Sequence, residues 1–334
     1  MKKLRVFQNV YNKRIVPGFS LRSLGTVLLF LLLIPYLITF LWGNLKRDEE
    51  EMFRGKSLEE QLNSGRIYVV NHSSLGSERI PLEVYVADSL VRCIGEEFEQ
   101  ETLKAQAVLL RSSLLAEREK SGGQGDITVC DQAYGKVETT KQIREAAAQT
   151  AGIYLSWEDK PVYGAYFSVS NGATRNGSEL LSEEYSYLTS VVCEKDFLSP
   201  DFSDSFTIYN GEFQRLWQQL SAVSVKEEIQ ELEEKAESSG VEDYKLIRDS
   251  AGYVLYVKGP DKWVSGETFR SGFLLTSSCF RLEQEQQQIT IIVKGSGHGL
   301  GMSQYGANEM AKEGKNYIEI LNYFFSDATI TKTE

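Results

Sequence analysis

Glu101–Lys120 reads ETLKAQAVLLRSSLLAEREK, and its spacing sets the frame for the chain around it. Leu103, Ala107, Leu110 and Leu114 recur at helical intervals and make one apolar stripe, while Lys104 and Arg111 lie seven apart on a single face. The stretch predicts a helix of about five turns, stopped by Ser121-Gly122-Gly123-Gln124-Gly125-Asp126. Upstream, Pro81 opens another helix at a first-turn position. Leu82, Tyr85, Val86, Ser89, Leu90 and Cys93 share its inner face. Ile67–Val70 precedes it as a strand. Downstream come a helix over about 138–150, strands at 153–155 and 165–169, and a solvated charged helix at 226–237. From Tyr244 the pattern turns to β, clearest at Tyr253–Lys258 and Ile289–Lys294. Helices at Gly306–Lys312 and Tyr317–Phe325 close the chain. Helices and strands mix without regular βαβ alternation and without repeats, which predicts the α+β class.

The N-terminal end is different in kind. Residues 24–43, LGTVLLFLLLIPYLITFLWG, are 20 residues without a charge, about the length that crosses the hydrocarbon of a bilayer. Six basic residues and no acid lie in residues 1–45, so positive charge predicts a cytoplasmic N-terminus. The segment is longer than a signal-peptide core and ends in Trp42-Gly43-Asn44-Leu45, not in small residues, which favours an uncleaved anchor. The expected organisation is a basic cytoplasmic segment (1–23), a transmembrane helix (24–43), a polar stalk (44–64) and one extracytoplasmic domain (65–332). The net charge of −11 thus divides: beyond residue 45 the chain carries −17. A portion so acidic repels nucleic acid, and none is expected as a partner. Composition is otherwise that of a globular chain, with 42% hydrophobic and 25% charged residues, which excludes disorder and a multi-span membrane protein.

Chemistry concentrates in two glycine-punctuated loops. Gly295–Ala307 reads GSGHGLGMSQYGA and brackets His298, one of two histidines, with glycines that let backbone approach a ligand closely. His298, Ser303, Gln304 and Tyr305 offer polar tips there, as a hydroxyl-rich substrate requires; a plain turn before a helix is the alternative. Ser168–Ser178, SVSNGATRNGS, is the second loop, and an ordinary turn is its alternative. The four cysteines, Cys93, Cys130, Cys193 and Cys279, show no CxxC or CxxH spacing. Their pairing is open, and burial as small apolar groups is equally compatible.

Four ordered blocks resemble the SpoIID/LytB family. They are Glu101–Val108 with Arg111-Ser112; Tyr166-Phe167-Ser168 with Asn171–Thr174; Gly266–Arg270 leading to Leu275–Phe280; and His298–Ala307. The likeness covers about residues 65–332. It implies a membrane-anchored protein that remodels peptidoglycan during sporulation, at engulfment, by lytic transglycosylase chemistry. In that reaction one carboxylic acid protonates the glycosidic oxygen. Its carboxylate then takes the proton of the C6 hydroxyl, which attacks C1 and leaves a 1,6-anhydro end. The resemblance further implies glycan strands as substrate. It implies partnership with a peptidoglycan amidase and a membrane protein of the engulfment complex, and Lys104, Gln106, Arg111, Ser168, Thr174, His298, Ser303, Gln304 and Tyr305 along the substrate cleft. No cofactor is expected. Cys130 matches a metal-liganding cysteine of some relatives, but its companion histidine is missing, so no metal is expected.

One position departs from the family pattern. The acid stands eight residues before the Glu of the "EALKAQA" block, and here that residue is Cys93, with Ile94, Gly95 and Phe98 still in step. A thiol is a weak hydrogen-bond donor and does not replace a carboxylic acid. Loss of a positioned acid costs about 10²–10⁴-fold in rate. Glu96 and Glu97, three and four residues on, are candidate substitutes; a Cys93 nucleophile would need His298 as its base. The sequence therefore leaves two readings, an active lytic transglycosylase with a relocated acid and a weak or inactive glycan-binding relative. The −17 charge and the 17 Tyr and 16 Phe favour stacking and hydrogen bonds over charge steering in any glycan contact.

Overall fold

A computed structural model describes residues 57–74, 76–95, 97–223 and 233–333. The expected cytoplasmic segment and anchor, the first part of the stalk, Glu96 and most of the charged run 226–237 lie outside the described residues. Among the described residues no helix is long and apolar enough to cross a membrane.

Chain order begins with α1 (Leu58–Asn63), inside the expected stalk. Leu62 on it is buried in the first core, so the folded unit starts before residue 65. Next come β1 (Tyr68–Ser73) and β2 (Gly76–Pro81), an antiparallel hairpin whose second strand is polar and mostly exposed. Pro81 ends β2 and serves as N-cap of α2 (Leu82–Cys93), at φ −56° and ψ 138°. A proline loses nothing there, because the first helical N–H groups have no intrahelical partner. Then follow α3 (Gln100–Lys120), β3 (Ile127–Val129) parallel to β1, and α4 (Lys141–Gln149), capped by the Thr140 side chain.

The long helix α3 divides two cores. Leu103 and Ala107 face the first, with Leu90, Val69 and Ile143. Ala105, Val108 and Leu109 face the second, with Leu155, Met302, Ile320 and Leu321. A helix buried on two sides explains why one apolar stripe under-describes it. Small residues on the second face let neighbours approach closely: a side chain at Gly164 would strike the Leu109 backbone at 2.4 Å.

The rest of the chain supplies β4 (Ile153–Trp157), β5 (Lys160–Pro161), β6 (Tyr166–Phe167) and α5 (Gly177–Leu180). After them come β7 (Ser203–Tyr209), α6 (Asn210–Gln219), β8 (Glu237–Ser238), β9 (Lys245–Arg248), β10 (Val254–Lys258) and β11 (Trp263–Ser265). The last elements are α7 (Gly266–Gly272), β12 (Phe280–Glu285), β13 (Gln288–Lys294), β14 (Met302–Ser303), α8 (Gln304–Lys312), α9 (Tyr317–Phe324) and β15 (Thr329–Lys332). The sheets are small: β2-β1-β3, β15-β4-β5, β14-β6, β12-β13-β7 and β11-β10-β9-β8. Strand β13 alternates buried Ile289, Ile291 and Val293 with outward residues, the pattern of a sheet with one face on a core. That third core is aromatic. Phe269 stacks between Phe273 at 4.2 Å and Phe280 at 4.6 Å, with Phe213 and Trp217 beside it. The architecture is α+β, as expected.

Candidate functional site

Cys93 is the last residue of α2, and three elements converge on it. Gln304, the first residue of α8, donates through Nε2 to the Cys93 carbonyl at 3.0 Å and to Gln106 Oε1 on α3 at 3.1 Å. The Tyr166 side chain on β6 lies beside the Cys93 thiol. Burial, reinforced by that thiol, pushes the Tyr166 phenol well above its ordinary value, so it stays protonated. The Gln106 amide nitrogen is buried without an acceptor, which costs about 1–3 kcal/mol.

The two glycine-punctuated loops meet at this point. Met302 and Ser303 pair with Tyr166 and Phe167 in parallel register, and the Tyr305 N–H donates to the Ser168 carbonyl at 3.0 Å. Gly301 has φ +74°, and a Cβ there would sit 2.2 Å from the Ala165 carbonyl oxygen. Only glycine lets these backbones run so close. Asp196 clips the loops together: Oδ2 accepts the Ser170 N–H at 2.6 Å and the Ser303 hydroxyl at 2.7 Å. Burial raises the Asp196 carboxyl, and those two donors partly offset the rise. Ser303 also caps α8 by accepting the Gly306 N–H, which aims Gln304 and Tyr305.

A second buried network holds the loops from behind. Arg175 is fully buried and donates to Asp249 at 2.6 Å, Glu267 at 2.9 Å and the His298 carbonyl at 3.3 Å. Burial acts to raise Glu267, but the Ser278 hydroxyl and the Arg175 and Arg270 guanidinium groups outweigh it and hold its carboxyl below the usual range. A carboxylate so held stays ionised and cannot act as a general acid.

The expected site residues separate into two groups. Cys93, Gln106 and Gln304 come together in one hydrogen-bonded cluster, and Ser168 and Tyr305 border it through the bond between their backbones. The others have different work. Arg111 is wholly buried and pairs with Glu83 on α2. Lys104 pairs with Glu101 at 2.6 Å; two residues from Gln106, it points to nearly the opposite side of the helix. Thr174 is buried, accepting the Val191 N–H and donating to the Thr189 carbonyl. The Ser303 hydroxyl is spent on Asp196 and the α8 cap.

His298 is half-buried. Its Nδ1 accepts the Leu300 N–H at 3.1 Å, and its ring packs 5.8 Å from Phe167. Burial lowers the His298 imidazole below its ordinary value. It organises the loop as a neutral ring whose Nδ1 is already occupied by the Leu300 N–H.

Glu97 folds back on its own turn. Its carboxyl oxygens lie 2.2 Å from where a Cβ on Gly95 would stand. Glycine at 95 thus makes room for that carboxyl beside the end of α2. All four cysteines are free thiols, Cys193 and Cys279 buried, Cys130 exposed and Cys93 between the two. No cluster of three or more metal-ligating side chains occurs among the described residues.

Sequence reasoning passed over Tyr166, Asp196 and Glu267. Tyr166 had a readable signal, because it lies two residues before Ser168 and strand alternation puts both on one face. Glu267 lay in the matched block Gly266–Arg270, whereas Asp196 carried no signal, since it reaches the site only through tertiary contacts.

Comparison with known proteins gives a consistent picture. The family model for "Stage II sporulation protein" matches residues 71–157. Stage II sporulation protein D of Bacillus amyloliquefaciens is 30% identical over 298 residues, covering 83% of this chain and 81% of the relative. Stage II sporulation protein D of Bacillus subtilis (strain 168) is 31% identical over 279 residues, 77% of this chain and 76% of the relative. The amidase enhancer of the same strain is 24% identical over 275 residues, which are 69% of this chain but 38% of that longer protein.

Proposed function

We propose, for a chain that belongs to the stage II sporulation protein D (SpoIID) family, that it is a sporulation protein of the cell envelope. It binds peptidoglycan glycan strands in the groove around Cys93, Tyr166 and Gln304, with acid-catalysed strand cleavage lost or strongly reduced. The observation that carries this reading is the company kept by Cys93. Its thiol lies beside a phenol and its carbonyl accepts from an amide. Among the described residues no carboxylate hydrogen-bonds to Cys93, Tyr166, Gln106 or Gln304. Protonating a glycosidic oxygen near neutral pH takes a carboxylic acid whose pKa is raised by a partly dry site. A phenol held above its ordinary value and a thiol do not provide one. The exposed Ser168 and partly exposed Tyr305 side chains remain suited to the hydroxyl and acetamido groups of a sugar, with the buried Gln106–Gln304 amide pair behind them.

A second reading rests on the Glu97 carboxyl, which fills the space over Gly95 two residues past Cys93. A small movement of the turn would swing that group into the groove as the relocated acid. One experiment separates the two. The full-length chain is incubated with glycan strands stripped of stem peptides, and 1,6-anhydro ends are sought by mass spectrometry. No turnover in the parent and turnover in Cys93→Glu supports the first reading. Turnover in the parent that disappears in Glu97→Gln supports the second. Strands that neither bind nor react would sink both.

Residues 24–43 are proposed as the membrane anchor that keeps the domain on the outer face of the membrane. A peptidoglycan amidase and a membrane protein of the engulfment complex are proposed as partners. The amidase connection is supported by the likeness to an amidase enhancer.

A further inference from the structure

A cavity of about 370 Å³ lies between the C-terminal end of α3 and the β4–β5 hairpin. That size falls within the range of about 300–1,000 Å³ typical of small-ligand sites. Trp157, Tyr163, Tyr185 and Tyr187 supply its rings. The rings are tilted against one another, Trp157 and Tyr187 at 5.8 Å and 39°, Tyr185 and Tyr187 at 6.3 Å and 37°. Around them stand charged side chains that are exposed: Glu117, Glu119, Glu158 and Glu184, with Lys120 and Lys160. None of these six forms an ion pair among the described residues, so their polar ends are free to meet a ligand. Trp157 and Lys160 are direct cross-strand partners and so point to the same face of the hairpin.

The platform is held in place before any ligand arrives. The Tyr187 hydroxyl donates to the Tyr163 carbonyl at 3.0 Å, and burial keeps that phenol protonated by pushing it far up. The Val162 N–H donates to the Leu155 carbonyl at 3.1 Å, and the Gly164 N–H to the Ser113 hydroxyl at 3.1 Å. Tyr163 is therefore pinned through its backbone on both sides, yet its side chain is half exposed, at 51%. Large aromatic surface left in water on a fixed backbone is a binding platform whose ordering cost is already met. Tyr163 also lies close to the Cys93 cluster along the chain, three residues before Tyr166 and at most ~10 Å from it.

We infer that this cavity is a second glycan-binding site, taking a neutral N-acetylhexosamine unit on the Trp157–Tyr163–Tyr185 rings. The rings accept the apolar face of a sugar, and the rim groups of both signs accept from and donate to its hydroxyls. Four carboxylates against two lysines repel phosphate and free muramic carboxylates, which selects the neutral sugar of a strand. The inference extends the proposed glycan reading, since a strand crossing Cys93 could continue over Tyr163 into the cavity.

The test uses the full-length chain and a tetramer of N-acetylglucosamine, read by tryptophan fluorescence. A saturable change is expected, with its amplitude lost in Trp157→Phe. Tyr163→Ala, at an exposed side chain, should weaken binding roughly five- to tenfold without shifting the melting temperature. No saturable change, or binding undiminished in Tyr163→Ala, overturns the proposal. A tetralysine peptide that gives the response in place of the sugar also overturns it, because the site would then take cations. Gln304→Ala separates this inference from the proposed function. A tetramer response in the parent together with long-strand binding that Gln304→Ala leaves undiminished sinks the groove reading alone. Long-strand binding that depends on Gln304 with no tetramer response sinks the cavity alone.

Discussion

Replacing Arg111 tests the division between groove and core most sharply. By likeness to its family Arg111 belongs on the substrate cleft; in the fold it is fully buried. Its Nε donates to Glu83 Oε1 at 2.9 Å, its Nη2 to Glu83 Oε2 at 2.5 Å, and its Nη1 to the Ile153 carbonyl at 2.8 Å. Glu83 Oε1 also accepts the Gly152 N–H at 3.0 Å. This pair joins α2, α3 and the start of β4. Arg111→Met removes the cation and leaves the Glu83 carboxylate buried with one N–H for company. Uncompensated buried charges of this kind cost about 3–5 kcal/mol. For a domain of this size that corresponds to a fall in Tm of roughly 6–20 °C. Glu83→Leu combined with Arg111→Met removes both charges and should recover most of the loss, because apolar replacement of a whole buried pair is close to neutral. Thermal denaturation of the parent, the single variant and the double variant, with glycan-strand binding measured below the melting range, gives the answer. Equal Tm values accompanied by loss of strand binding in Arg111→Met would refute the buried-pair assignment and return Arg111 to the cleft.

Other substitutions follow the same geometry. Lys104→Ala should leave glycan-strand binding unchanged and cost about 0.3–0.5 kcal/mol of stability, since its partner Glu101 is one helical turn away on a half-exposed surface; weakened binding in a pull-down with wall strands would contradict this. Ser303→Ala removes both the α8 cap and an Asp196 donor, and calorimetry should register a loss of about 1–2 kcal/mol. His298 gives a pH dependence. Burial holds its folded-state imidazole below the ordinary value of 6.5, so the unfolded chain takes up a proton first as pH falls. Its contribution is complete above about pH 6.5 and is lost below it, down to the folded value. The stability gap between the parent and His298→Gln should therefore narrow between pH 7.5 and 5, and a gap that stays constant would refute the buried neutral ring.

The periodic elements were legible because burial on one face writes a pattern into the chain. The helix at Gln100–Lys120 lies within one residue of its expected start, and the strand at Gln288–Lys294 likewise. Strand β2 was missed because GSERIP is an exposed edge with a single buried side chain, Ile80. Helix α6 was missed because only Phe213 and Trp217 anchor it. Gln106 and Gln304, from different blocks, meet in one hydrogen-bonded cluster, whereas Lys104, Arg111, Thr174 and Ser303, from the same blocks, make contacts within the scaffold. Residue identity along a motif does not say which way a side chain points. On α3 a step of two residues turns Lys104 away from Gln106.

The cluster around Cys93 is held through atoms that every residue type shares. Gln304 bonds the Cys93 main-chain carbonyl, Tyr305 the Ser168 carbonyl, and Asp196 the Ser170 N–H. None of these contacts depends on the side chain at position 93. A carboxylate and a thiol can therefore exchange there while α2, α3 and α8 keep their mutual placement, so the chemistry at this position is separable from the frame that presents it. The same separation makes Cys93→Glu an informative variant. The frame that would position a carboxyl is already built, and the neighbouring Tyr166 phenol is protonated and able to donate to it. The acid would also enter a partly buried site, the condition that raises a carboxyl toward the pH at which it can protonate a glycosidic oxygen.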